Sequence, residues 1–364
     1  MLRMLVSGDR GKRYRDLCDR YGGDALLRIG PNDILASSPA MVRHMNSVRS
    51  PYLRSDWYRD RLKAQLASEY SGKENPTIET SYISTATEFR PLDLAPVAIF
   101  FAVDTISRIA FDEAFGNLDE GIDVHGLIGP KVTDKKGFAD EVLKKRSRPD
   151  AEDNKDMLGS FLRQGVSLEQ CKPEIIVQTL AATMLNVITS PRVYARLQAE
   201  IDGALADGRI QSRPAEEKEV PQLPYTQAVI REGLRFSPPT TALLKKQVPA
   251  EGDTFDGRFL LCGMRLAVNI LSIQRSKDVF GPDADVFRPE RWLEASDKKH
   301  REMSQTVDQV FGWGRWQRLG KPVAMLELNK VFVQLLRYFD FELVNPQAPW
   351  KSIDYRVTER PTSL

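Results

Sequence analysis

Residues 311–327, FGWGRWQRLGKPVAMLE, restrict this chain more than any other stretch. Gly312, Gly314 and Gly320 cannot belong to an ordinary helix. Glycine is costly there, and its repetition signals tight backbone or close approach to something bulky. A helix is then expected near Pro322, because proline suits a first helical turn. Val323, Leu326, Leu328, Val331, Phe332 and Leu335 continue at near-helical spacing. The stretch therefore reads as a glycine loop that delivers one side chain to a fixed place at a helix N-terminus.

This loop resembles the haem-binding loop of the cytochrome P450 monooxygenases. That family reads F-x-x-G-x-x-x-C-x-G, followed by a helix carrying Ala and Glu. Phe311, Gly314, Gly320, Ala324 and Glu327 match it, and Arg318 stands where the cysteine belongs. In the family, that cysteine gives its thiolate to the haem iron. A guanidinium has five donors, no lone pair to offer and a pKa too high to lose its proton. Arg315, in the same loop, is expected either to meet a haem propionate or to cap carbonyl groups.

Two further motifs carry the resemblance. Glu232 and Arg235 form an E-x-x-R on the segment from Gln222 to Phe236, and three-residue spacing puts both on one helical face. Alone, such a pair usually sits on the surface. The segment DVFRPERWL, residues 285–293, supplies Arg291, which the family pairs with its E-x-x-R. The resemblance thus implies a structural triad of Glu232, Arg235 and Arg291. The text from Tyr21 to Tyr58 is similar to the fungal pisatin-demethylase-like branch.

The implied fold is mainly α with a small β region, one P450-like domain over residues 1–364. Residues 22–40 and 240–275 are expected to contribute the β region, and 93–239 with 311–340 the helical core. Within these, Lys12 to Tyr21 reads as helix, Ala25 to Ile29 and Asp33 to Leu35 as strands, and Thr254 to Asn269 as a hairpin turning at Gly257 and Gly263. Asp93 to Phe111 and Arg59 to Tyr70 read as helices. Residues 129–155 mix charges of both signs, as a solvated face does. Pro173 to Thr189 predicts a helix of only about 25 Å. Its family counterpart is longer and carries an acid–alcohol pair for proton delivery. Here no acid directly precedes Thr179 or Thr183, so the middle of the fold reads as shortened. Arg61 is the nearest candidate for a basic partner of a haem propionate, its alternative being a solvated surface arginine.

Composition narrows the function classes. A net charge of +2 marks no nucleic-acid partner. Cys18, Cys171 and Cys262 are scattered, which argues against a disulfide framework or a zinc site and fits a reducing compartment. No stretch approaches the roughly twenty apolar residues of a membrane span, so the anchor usual in eukaryotic members is not expected and a cytoplasmic location is. His44, His125 and His300 lie outside the glycine loop. No metal site is expected.

These readings lead to a degenerate monooxygenase with haem absent or bound without thiolate. Its family activity would be haem-dependent oxidation of a small apolar secondary metabolite, and no productive electron-donating reductase is expected. A haem-independent cyclase or isomerase using Arg318 as a placed cation is a second reading. A non-catalytic binding partner in a biosynthetic pathway is a third.

Overall fold

The computed structural model describes residues 10–21, 26–55, 174–212, 218–241, 243–317, 320–343, 346–347, 351–355 and 358–363, with isolated positions between 97 and 124. The chain divides into two compact units, residues 62–177 and the remainder. In the larger unit, helix α1 (Arg10–Tyr21) leads into strands β1 (Leu26–Arg28) and β2 (Asp33–Ala36). Helix α2 (Pro39–Asn46) and strand β3 (Leu53–Arg54) follow. The smaller unit includes helix α3 (Asn117–Glu120), where the Asp104 carboxylate accepts from the N–H groups of Asn117 and Leu118 at 3.1 and 2.8 Å. The helices expected over 59–70 and 93–111 lie wholly or largely outside the described residues.

Helix α4 (Glu174–Ile188) is succeeded by α5 (Pro191–Ala206), with Pro191 at the start of the new helix. A short 3-10 turn at Val220–Gln222 leads to α6 (Pro224–Phe236). Gly233 lies where α6 meets α4: an added Cβ would run into the Thr183 side chain. The Thr183 hydroxyl donates to the Thr179 carbonyl at 2.6 Å, and the Thr179 hydroxyl to the Ser237 carbonyl at 3.0 Å. Both threonines are thus packing residues with their hydroxyls bonded.

Strands β4 (Leu244–Gln247), β5 (Asp253–Phe255), β6 (Arg258–Leu260) and β7 (Arg265–Val268) come next. The order in the main sheet is β1-β2-β7-β4-β3. The hairpin expected across 254–269 is shorter than that. Only β5 and β6 pair with each other, around Asp256 and Gly257, both with positive φ as a tight hairpin turn requires. After Gly263 the chain instead carries β7 into the main sheet, parallel to β2 and antiparallel to β4. That register sets Arg265 opposite Asp33 and places Lys245 near them. The Asp33 carboxylate takes Lys245 Nζ at 2.9 Å and Arg265 Nη2 at 2.8 Å. Tyr14 and Cys18 of α1 pack with Leu35, Leu243 and Ala267.

Helices α7 (Ile270–Gln274), α8 (Lys277–Phe280), α9 (Arg291–Glu294) and α10 (Asp297–Asp308) precede the glycine loop, and α11 (Lys321–Tyr338) follows it. Strands β8 (Lys351–Tyr355) and β9 (Thr358–Ser363) close the chain as an antiparallel pair. Among the described residues no helix is long and apolar enough to cross a membrane.

The α4–α6 contact yields a stability test. Gly233→Ala is expected to cost about 1–3 kcal/mol by overpacking. Adding Thr183→Ala should recover part of that loss in chemical denaturation.

Candidate functional site: the glycine loop and its supports

A buried carboxylate holds the chain that leads into the loop. Glu232 and Arg235 are fully buried, and Arg291 is 3 % exposed. Arg235 Nε and Nη2 donate to the two Glu232 oxygens at 2.9 and 2.7 Å. Arg291 Nε reaches the same carboxylate at 3.1 Å. The structure also brings in two donors that sequence reasoning missed: Trp292 Nε1 at 3.0 Å and the Arg288 N–H at 2.8 Å. Burial pushes the Glu232 carboxyl upward, but the Arg235 hydrogen bonds and the two guanidinium charges leave it below its ordinary value.

The guanidinium groups spend most of their remaining donors on backbone, Arg291 Nη1 also donating to the Asp283 carboxylate at 2.9 Å. Arg235 bonds the carbonyls of Gln274, Ala284 and Val286 at 2.9, 2.7 and 3.0 Å. Arg291 bonds those of Phe280, Asp283 and Val286 at 2.6, 2.9 and 3.1 Å. One ionic knot therefore fixes the irregular segment between α7 and α9.

The loop itself begins as a 3-10 turn at Gln309–Phe311, with the Phe311 ring buried. Gly312 has φ 86° and Gly314 φ 56°, both left-handed. A Cβ at Gly312 would strike the Trp316 carbonyl, and one at Gly314 would strike the Asn46 carbonyl at the end of α2. Close approach thus dictates glycine at both positions. Gly320 differs from expectation: it has right-handed backbone as the residue before α11, and a Cβ there meets nothing within 4 Å. Its backbone needs no glycine. Arg318 and Leu319 lie outside the described residues, as do Arg61, His125 and Cys171.

Arg315 leaves the loop and donates from Nη2 to the Tyr52 carbonyl at 2.8 Å. Tyr52 is itself held, its hydroxyl donating to Asp253 Oδ2 at 2.7 Å while His44 Nε2 meets the same oxygen at 2.6 Å. Burial, reinforced by the Asp253 charge, raises the Tyr52 hydroxyl above its ordinary value. His300 is engaged elsewhere, by Arg231 at 2.7 Å.

Trp316 has a setting the sequence analysis overlooked. Lys246 Nζ stands 4.5 Å from its ring centroid, the Arg54 guanidinium carbon 4.9 Å and that of Arg315 5.0 Å. The only available signal was the run Arg315-Trp316 beside further basic residues. Lys246 is buried, and its ammonium donates to the Met45 carbonyl at 3.1 Å. Burial, together with the charges of Arg315 and Arg54, brings Lys246 down to about 7.

Glu327, on α11, is 2 % exposed, and its Oε1 has no hydrogen-bond partner among the described residues. Burial alone pushes its carboxyl up to about 8.

Comparison with known proteins follows the same lines. The family model for cytochrome P450 matches residues 176–361. Cytochrome P450 monooxygenase ABA1 of Pyricularia oryzae is 36% identical, with 97% of this chain and 86% of that protein covered. Cytochrome P450 monooxygenase aba1 of Botryotinia fuckeliana is 34% identical, with 95% and 85% covered. Cytochrome P450 monooxygenase abl1 of Leptosphaeria maculans is 30% identical, with 98% and 78% covered. This chain belongs to the cytochrome P450 family, with the mainly α fold and small β region of that family. The ABA1 alignment runs over 440 residues against a chain of 364, so this chain must open internal gaps.

Family membership implies a haem cofactor, and the residues fit that group unevenly. The cations around Trp316 suit acidic oxygens such as those at a porphyrin's carboxylate edge. The loop from Phe311 to Gly320 contains no sulfur, imidazole or carboxylate to offer an iron. The donor set therefore does not fit haem at the metal.

Two stability predictions belong to these buried acids. Glu232→Gln leaves Arg235 without a carboxylate and Arg291 with that of Asp283 alone, and is expected to cost about 3–5 kcal/mol in urea denaturation. Glu327 has the opposite sign. Its raised folded value means that its stability contribution is complete below pH 4.5 and is lost as pH rises through about 8. Glu327→Gln should therefore match the parent at pH 4. It should gain up to about 1.4 kcal/mol per pH unit across that window.

Proposed function

We propose that this chain retains the P450 scaffold without the family's thiolate-dependent monooxygenase activity. The observation that carries the reading is Arg318 at the position of the haem-ligating cysteine. Arginine has no electron pair for a metal, and a fixed positive charge beside a ferric ion is repulsive. The glycine requirements at 312 and 314 support the register of the motif, because they tie its Gly314 to the end of α2. The three cysteines are remote from the loop in sequence: Cys18 is buried beside α7, Cys262 is exposed after β6, and Cys171 lies outside the described residues.

A second line of support comes from α4. Its Thr179 and Thr183 hydroxyls donate to backbone carbonyls, and among the described residues neither is paired with an acid. A family-like proton delivery would need such a pair. The ABA1 alignment opens gaps in this chain, which a shortened middle would account for. In this reading the remnant haem loop is Phe311, Gly314, Arg315 and Gly320, and Glu232, Arg235 and Arg291 serve it structurally. Reductase electrons have no productive destination, and any ligand is a small apolar metabolite held without oxidation.

The test is spectroscopic. The purified protein, supplied with haemin, reduced and exposed to carbon monoxide, is expected to give no thiolate-type absorption band. Such a band, or hydroxylation of any compound by the haem-loaded protein, would overturn the reading. Arg318→Cys is expected to create the band if the remaining pocket is intact.

A further inference from the structure

Helix α10 leads into the glycine loop and is thinly anchored. Only Met303, Thr306 and Val307 are buried on it, and the chain passes from its end straight into the 3-10 turn at Gln309–Phe311. Segments with few buried apolar contacts open at low free energy. Single polar contacts therefore weigh more here than in the core. Near the end of α10, Gln274 Nε2 donates to the Thr306 carbonyl at 2.8 Å. In its first half, Lys299 Nζ reaches the Asp278 carbonyl at 2.6 Å, and His300 meets Arg231 of α6.

The His300 contact fixes a protonation state. Arg231 Nη1 stands 2.7 Å from His300 Nε2. A guanidinium can only donate, so that ring nitrogen must accept. An imidazole accepts only when neutral, and its one proton then sits on Nδ1. A second proton would have to enter at Nε2, between the ring and a permanent positive charge. The contact would then hold two donors, two cations and no acceptor. The His300 ring also stands edge-on to Trp292, with centroids 5.9 Å apart at 82°. Trp292 donates from Nε1 to Glu232 at 3.0 Å. His300 thus touches both α6 and the ring that joins the buried carboxylate.

We propose that His300 is a proton-released latch: neutral, it holds α10 to Arg231, and mild acid frees α10 and with it the entry to the glycine loop. The charges acting on His300 are Arg231 of α6, which opposes its protonation, and Asp297 of α10 itself, which favours it. From α9 it meets the uncharged Trp292. The other charged side chains on neighbouring α8 and α9 are Lys277, Asp278, Arg291 and Glu294; Arg291 is committed to Glu232 and Glu294 to Arg288. On α10, Lys299 is paired with Glu302. Burial and the Arg231 charge hold the His300 imidazole below its ordinary 6.5. With a lowered folded value, the latch contributes fully above pH 6.5 and is lost as pH falls through that lower value.

Amide hydrogen exchange of the full chain, read by mass spectrometry and corrected for intrinsic rates, follows α10 directly. Peptides from 297–308 are expected to lose protection roughly tenfold between pH 7.5 and pH 5, as loss of one hydrogen bond to a charged group implies. Peptides from α5 should keep theirs. His300→Gln offers Arg231 a neutral acceptor that does not titrate, and should keep α10 protected at both pH values. His300→Lys, a permanent cation, should expose α10 to exchange already at pH 7.5. Arg231→Gln keeps a donor toward His300 without the charge and should reduce the acid response. A histidine that only fills space would not separate these variants. If α10 is equally protected at pH 7.5 and pH 5, or if the acid response survives His300→Gln, the proposal fails. Should His300→Gln lose protection at both pH values, Arg231→Gln decides: a reduced acid response supports the latch and an undiminished one overturns it. No haem enters the experiment, so its outcome is independent of the reading of Arg318.

Discussion

The carboxylate of Glu232 is the interaction on which the glycine loop depends. It is fully buried and accepts from Arg235, Arg291, Trp292 and the Arg288 backbone. An ionised group in such a place is tolerated only because every lone-pair direction has a donor. The two arginines then reach outward to carbonyls between Gln274 and Val286, a stretch too irregular to satisfy its own backbone. The salt bridge is thus less a source of net stability than a fixed point for the segment before the loop.

At the loop, two glycines do what no other residue could. Gly312 folds back on the Trp316 carbonyl and Gly314 presses on the end of α2. That contact brings loop residues beside β3 and β4, where Arg54 and Lys246 meet Trp316. The charge around the indole is therefore a consequence of glycine packing. The described part of the loop sets Arg315 and Trp316 against Arg54 and Lys246.

Much of this was legible in the sequence. The helices near 10–21, 39–46, 191–206, 224–236 and 321–338 follow from apolar spacing, proline starts and glycine or proline stops. The meeting of Glu232, Arg235 and Arg291 was legible from motif order. The hairpin over 254–269 was overextended, because alternation in one strand says nothing about which neighbour it pairs with. Helix 297–308 has a weak apolar pattern, since only Met303, Thr306 and Val307 are buried on it. Gly320 looks conformationally necessary beside Gly312 and Gly314, whereas its own backbone is ordinary helix entry.

The sequence by itself determined the residue chemistry: a guanidinium at 318 in place of a thiolate, an E-x-x-R able to share one helical face, and glycines at 312 and 314. These are properties of side chains and of local spacing, which the chain carries however it folds. Only the tertiary structure decided that Trp292 joins the buried carboxylate and that Thr183 requires Gly233 beside it. It also decided that Lys246 and Arg54 converge on Trp316. The first two depend on how other helices pack on α6, and the third on β3 pairing with β4, contacts between residues far apart in the chain that no local pattern encodes.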